Sequence, residues 1–245
     1  MTDYKGVELI RSSDGKRVHT FNDWGLVLKE RPEISPPEPK TEYVELPGTD
    51  GHLDLTESLT GEVVFNTRTI SMKFHVIQNN KEWPKVYSDI LDFLHGRTMK
   101  IVMDDDLDYY YVGRITVEAW SSNPNRSELQ MKAVAEPYKM ERSSSMEDWE
   151  WDPFNFEIGV IREYKDMEVN GSLSLNITGS RKPVIPSFTV VSDDGSGMTM
   201  WYAGEEYNLS DGLNHVANIR IKEGTYNFVF IGTGTVSVDY RGGRL

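Results

Sequence analysis

The chain contains no cysteine. That absence excludes disulfides, thiolate zinc sites and a cysteine nucleophile together, and it fits assembly in a reducing cytosol. Basic residues are scarce. The 26 Lys and Arg stand against 39 Asp and Glu, giving a net charge of -13 and a pI near 4.9. Phosphate backbones repel such a surface, so nucleic acid is not an expected partner. No apolar run approaches the ~20 residues that a membrane helix needs. The opening MTDYKGVELIRSSDG has neither the apolar core nor the small-residue cleavage site of a signal peptide. Membrane insertion and signal-dependent export are therefore not expected.

Catalytic patterns are also missing. The five histidines, His19, His52, His75, His95 and His215, never pair as HxH or HExxH, so no metal or cofactor is expected. His95 is expected in the last turn of a helix, where a cation suits the helix dipole. No Gly-x-Ser-x-Gly elbow occurs. The run Asp104, Asp105, Asp106, Asp108 lacks the Gly and Glu of a calcium loop and reads as a solvated turn between strands. Gly232-Thr233-Gly234 lies between two strand patterns and does not open a helix, so it reads as a hairpin turn and not as a phosphate loop. Glu205 and Glu206 are neighbours in a strand pattern and face opposite sides, so they cannot flank one glycosidic bond. The expectation is a non-enzymatic chain with no catalytic, cofactor or metal residues.

What is present is mostly β-pattern. Ile70, Met72, Phe74 and Val76 alternate with Thr69, Ser71, Lys73 and His75, giving one apolar and one polar face. Similar runs predict strands at Val7–Ile10, Gly25–Leu28, Val63–Phe65, Lys100–Met103, Tyr109–Val112, Ile115–Ala119 and Leu129–Ala135. One helix is predicted at about 83–95. Trp83, Val86, Tyr87, Ile90, Leu91 and Leu94 recur at steps of three and four, Pro84 suits the first turn, and Gly96 ends the pattern.

The pattern lapses over RPEISPPEPKTEYVELPGT, which carries five prolines. Pro32, Pro36, Pro37 and Pro39 fall in segment 32–47, which reads as an extended loop or partner arm. A second lapse, EPYKMERSSSMED, marks a domain boundary. The 245 residues thus divide into an N-terminal domain at 1–138, a linker at 139–148 and a C-terminal domain at 149–233. The last strand, 234–245, is a candidate for returning to the first domain.

The second half predicts strands near Asp166–Val169, Leu173–Thr178, Val184–Val191, Met198–Tyr202, Val216–Ile221, Tyr226–Ile231 and Val236–Tyr240. Turn signals separate them at Asn170-Gly171, Asp194-Gly195, Asp211-Gly212, Glu223-Gly224 and Gly232–Gly234. Short strands at this spacing indicate a β-sandwich. The fold class is therefore mainly β, with an N-terminal β-sandwich-like domain carrying one α-helix on a sheet, then a C-terminal β-sandwich. Trp149, Trp151 and Phe154, with Trp201 and Tyr202, are aromatic candidates for packing between domains or for stacking on sugar rings.

Several segments in order resemble the distal tail protein family of siphophages: LPGTDGHLDLT at Leu46–Thr56, the strand TISMKFHV, the helix end LDFLHGRTMKI, the stretch DDDLDYYYVGRITV and the ending VSVDYRGGRL. That resemblance implies a virion protein of a phage or prophage tail tip, made in the bacterial cytoplasm. It implies a homo-hexameric ring built by the first domain. One ring face would meet the tail tube protein and the other the tail-associated lysin or tail fibre protein. It further implies a galectin-like or carbohydrate-binding-module-like second domain, which in the family sometimes carries a receptor-binding protein. The rival expectation is a carbohydrate-binding β-sandwich, or the accessory module of a glycosidase.

Overall fold

A computed structural model of the protein describes residues 5–123, 126–146 and 163–245. The chain is mainly β, in multiple sheets, and forms two compact units, Met1–Lys139 and Met140–Leu245.

In the first unit β1 (Val7–Arg11) turns into β2 (Arg17–His19). A single turn of helix, α1 (Thr20–Trp24), follows and leads to β3 (Leu26–Leu28), β4 (Glu33–Ile34), β5 (Tyr43–Glu45) and β6 (His52–Asp54). Then come β7 (Arg68–Val76), α2 (Trp83–Leu94), β8 (Thr98–Met103), β9 (Asp106–Asn123) and β10 (Arg126–Ala135). The main sheet runs β2-β1-β8-β9-β10-β7-β3, with β4 also on β7. Antiparallel register is set by alternation: Ile70, Met72 and Phe74 of β7 lie opposite Ala133, Met131 and Leu129 of β10. All six are essentially buried, so slipping one residue would turn this face to water.

Helix α2 covers that core. Ile90 and Leu94 are fully buried and Trp83, Val86, Tyr87 and Leu91 pack against the same cluster. Burying each of the two contributes about 2 kcal/mol. The predicted start and stop hold, with Pro84 in the first turn and Gly96 at φ 74°. The role expected of His95 does not. His95 caps the helix in an extended conformation, and its Nδ1 accepts the Val117 N–H at 3.1 Å. His95 thus stands one residue past Leu94, the last helical residue, and not within the last turn. Helix α1 was not predicted, because five residues are too few to show a period. It is held by caps: the His19 ring accepts the Asn22 N–H, and Gly25 closes the turn in the left-handed region.

The second unit contains the end of β11 (Lys139–Glu141), then β12 (Met167–Gly179), β13 (Ser187–Ser192), β14 (Met198–Tyr202), β15 (Glu205–Leu209), β16 (Gly212–His215), β17 (Gly224–Asp239) and β18 (Gly243–Arg244). Its six-stranded sheet runs β15-β14-β17-β13-β16, with β12 on the other edge of β17. β18 pairs with β11. Phe188, Val190, Met200, Phe228, Phe230, Val236 and Val238 form the buried core.

Several predicted breaks are continuous strand. Asn170-Gly171 lies inside β12, and Gly232-Thr233-Gly234 lies inside β17, with Gly171 opposite Gly232 and Val169 opposite Gly234. The glycines bend two long paired strands and do not end them. β17 needs them because neighbours crowd its backbone. A Cβ on Gly234 would sit 2.1 Å from the Val191 carbonyl oxygen at φ 130°. Conversely, two predicted strands are absent. Val63–Phe65 makes only a bridge between Phe65 and Pro39, and Val216–Ile221 is a turn ending in a bridge from Ile221 to Val184. The strand in that region is β16, just before it. The predicted Val184–Val191 starts late, at Ser187, because Pro186 has no N–H to give a ladder.

Candidate interaction surfaces

The proline-rich segment divides into a docked part and a projecting part. Its beginning lies along β7: the Lys29 N–H donates to Lys73 O and the Ser35 N–H to Thr69 O, each at 2.9 Å, and β4 pairs Ile34 with Ile70. Pro32 and Pro37 are buried there, while Pro36 and Pro39 are exposed. Beyond this point residues 38–66 form a two-layered ribbon of outgoing and returning chain. The Asn66 N–H donates to Glu38 O and the Lys40 N–H to Val64 O, both at 2.8 Å. Further out β5 pairs with β6 as a separate two-stranded sheet, joined by the Pro47-Gly48 and Asp50-Gly51 turn residues. The ribbon thus continues well past residue 47. Residues 55–64 carry no strand period; the Ser58 and Thr60 hydroxyls hold turns there, and Thr56 Oγ1 accepts the Glu42 N–H across the ribbon.

This ribbon exposes apolar side chains. Tyr43, Leu46, Leu53 and Val64 are exposed, and Leu59 shows 97% of its surface to solvent. Val44 and Leu53 are cross-strand partners and share one face, whereas Tyr43 and His52 meet on the other with ring centroids 6.3 Å apart. Acidic residues dominate the rest: Glu38, Glu42, Glu45, Asp50, Asp54, Glu57 and Glu62 against Lys40.

The base of the ribbon is anchored by charge on aromatic rings. Arg68 is buried. Its Nε donates to Ser35 O at 2.9 Å and its guanidinium lies 5.7 Å from the Tyr111 ring centre. Burial lowers the Arg68 pKa, and burial likewise pushes the Tyr111 hydroxyl up. Phe65 meets Tyr138 edge-on at 6.0 Å. The acidic run 104–106 closes the β8–β9 connection. It is more than the solvated turn expected, because each carboxylate has a partner. Asp104 accepts from the Gly6 N–H and pairs with His19 Nε2 at 3.0 Å. Asp105 pairs with Arg31 at 3.1 Å and Asp106 with Lys139 at 2.6 Å. Among the described residues no group of His, Asp and Glu is arranged to hold a metal ion.

In the second unit the two aromatic candidates part company. Strand alternation sends Tyr202 inward, where its ring stacks on Phe228 at 4.6 Å and 11°. Trp201 faces outward and is 40% exposed. Glu206 lies opposite it on β15, and Val229 on β17. Trp149, Trp151 and Phe154 lie outside the described residues.

No protein-family model matches the chain, and no curated protein matches it in sequence. Among solved structures it is similar to the Dit protein (gp 19.1) of phage SPP1, with a TM-score of 0.61. The match covers 98% of this chain and 99% of that one at 11% identity. The Dit structure is described as a paradigm of the hub adsorption apparatus in phages that infect Gram-positive bacteria. At that identity the likeness is one of fold.

Proposed function

We propose that this chain is a structural hub of a phage tail tip, a distal tail protein that works by assembling with copies of itself and carries out no reaction. Six copies close into a ring through the first unit. One face of the ring meets the tail tube protein and the other the tail-associated lysin or fibre protein, and the second unit faces outward, where a receptor-binding protein can attach. The protein acts in the virion after assembly in the host cytoplasm.

The observation that carries this reading is the ribbon 38–66, standing on a fold shared along its whole length with a phage hub protein. A cyclic ring needs a heterologous contact, in which one patch meets a different patch on the neighbour. The ribbon supplies one half of such a contact. It offers unpaired strand edges and exposed leucines, and its acidic side chains suit a less acidic surface. The outer face of the main sheet is our candidate for that surface: Lys100, Arg114 and Lys132 stand there at positions alternating with buried ones, beside Glu8 and Glu128.

Native mass spectrometry of the full chain, with negative-stain microscopy, tests the proposal. The expected result is a six-chain species and ring-shaped particles. A monomer persisting at tens of micromolar would refute it.

A further inference from the structure

Five positions in this chain place Asp or Asn directly before Gly: Asp14, Asp50, Asn170, Asp194 and Asp211. That dipeptide is chemically labile. The backbone nitrogen of the glycine can attack the side-chain Cγ of the residue before it, and the glycine has no β-carbon to stand in the way. Two conditions fall to the fold. The side chain must be free to swing onto the glycine nitrogen, and that N–H must not be held in a hydrogen bond of its own.

Four of the five are held. Asp14 Oδ2 accepts from the Arg11 guanidinium at 3.1 Å and Oδ1 from the Lys16 N–H at 3.2 Å, while the Gly15 N–H donates to Arg11 O at 2.9 Å. Asp194 Oδ1 accepts from the Ser196 N–H at 2.9 Å and its hydroxyl at 2.7 Å, and the Gly195 N–H donates to Ser192 O at 3.2 Å. Asp211 Oδ1 accepts from the Ser192 N–H at 2.7 Å and its hydroxyl at 3.1 Å, and Gly212 is paired with Val190. Asn170 and Gly171 sit inside β12, opposite Thr233 and Gly232. Asp50 is different. Residues 45–54 are exposed throughout. The turn before Asp50 is closed by Thr49, whose N–H and hydroxyl both reach Leu46 O, at 3.3 and 3.0 Å, and β6 starts only at His52. Among the described residues neither the Asp50 carboxylate nor the Gly51 N–H has a partner. A Cβ on Gly51 would meet nothing within 4 Å, so this end of the ribbon has room to turn.

From this we infer that Asp50 is a site of spontaneous isomerisation to isoaspartate. The Gly51 nitrogen bonds to Asp50 Cγ. The N–H proton and the carboxyl hydroxyl leave together as water, and a five-membered succinimide closes. Water then opens the ring at either carbonyl. Opening at Cγ restores aspartate, and opening at the main-chain carbonyl leaves the chain running through Cβ and Cγ. One water is lost and one regained, so mass and charge are unchanged and no oxidant or reductant is needed. The connection between β5 and β6 becomes one atom longer, beside the last ladder pair, Glu45 with His52. The α-carboxylate set free there is the methyl acceptor that isoaspartyl methyltransferases use, with S-adenosylmethionine as donor. The modification belongs to the ribbon tip and is independent of ring formation.

The test incubates the full chain for weeks at body temperature, once folded and dilute, with native mass spectrometry confirming single chains, and once in concentrated urea. Peptides from both arms are assayed for isoaspartate with an isoaspartyl methyltransferase and labelled S-adenosylmethionine, and the position is assigned by electron-transfer fragmentation. The urea arm gives each site its rate without the fold, so the ratio of the two rates cancels the intrinsically faster chemistry of Asn170. The expected result is an Asp50 rate within about twofold of its urea value, with the other four sites slowed about tenfold or more, because their hydrogen bonds must open before they react. Asp50→Glu, which would need a six-membered ring, should remove the signal from that peptide and leave the thermal melt unchanged. An Asp50 site slowed as strongly as the others would overturn the inference. So would isoaspartate accumulating in the folded chain at Asp14, Asp194 or Asp211 ahead of Asp50, or a labelled tip peptide that persists in Asp50→Glu.

Discussion

The sharpest consequence of the exposed ribbon is that its leucines should matter for assembly and not for folding. Consider Leu53→Ser together with Leu59→Ser. Leu59 is 97% exposed and Leu53 46%, so neither supports the isolated chain appreciably. Surface changes of this kind stay within about 0.5 kcal/mol each, and a chain of this size should lose no more than ~3 °C in Tm. In an assembled ring both side chains would be covered. Full burial of Leu59 is worth about 2 kcal/mol, and Leu53, already half covered, about 1. Losing about 3 kcal/mol per contact weakens that contact roughly a hundredfold. Native mass spectrometry over a concentration series should show the six-chain species giving way to smaller ones, while circular dichroism of the dilute, dissociated protein shows an unchanged melt. A double variant that assembles like the wild type would refute the argument. A variant that melts much lower as a monomer would show that the leucines serve the fold instead.

Two further substitutions probe the second unit. Gly234→Ala should destabilise it by about 3–5 kcal/mol, combining left-handed backbone strain with a Cβ placed 2.1 Å from the Val191 carbonyl oxygen; urea melts followed by tryptophan fluorescence would read the shift. Tyr240→Phe should cost about 1 kcal/mol in the same melt, because the Tyr240 hydroxyl donates to Thr178 O at 2.7 Å and its removal leaves that carbonyl without its donor, while the stacking of ring 240 on Tyr164 at 6.1 Å remains.

Much of this architecture could be read directly from residue order, and the failures have identifiable causes. The β7 alternation and the α2 period survived because each is long and one-sided, so tertiary burial reinforces what the pattern states. The two glycine sites in the second unit misled. Asn170-Gly171 and Gly232–Gly234 carry the chemistry of turns, yet they face one another across a ladder of paired strands, and only the pairing shows that the chain bends there without reversing. Val216–Ile221 alternates as a strand should, but Ala217 and Asn218 form a turn, with Ile219 and Ile221 buried in the core and Val216 packed against it. At the surfaces, composition marked the proline-rich stretch without showing that its first half is docked along β7. Trp201 and Tyr202 were adjacent aromatics with nothing in their order to separate them. Strand parity does so, sending one ring onto Phe228 and the other to solvent.

The ribbon's conformation also constrains what the first unit can be. A lone two-stranded sheet is marginal in water, because it has no third strand or helix against which to bury a face. β5 and β6 have no such support among the described residues, and their turns are stapled by local hydroxyl and carboxylate contacts such as the Thr56 N–H to Asp54 at 2.9 Å. Natural proteins guard long exposed edges and apolar ribbons because these invite indiscriminate pairing. Here the guard is charge: acidic residues along nearly the whole ribbon, within a chain already at -13. That charge disfavours pairing between two such ribbons. It favours contact with a different, less acidic surface. A contact between the ribbon and a different surface can be reciprocal in a two-fold dimer or run head to tail, and only the head-to-tail form would build the ring proposed above.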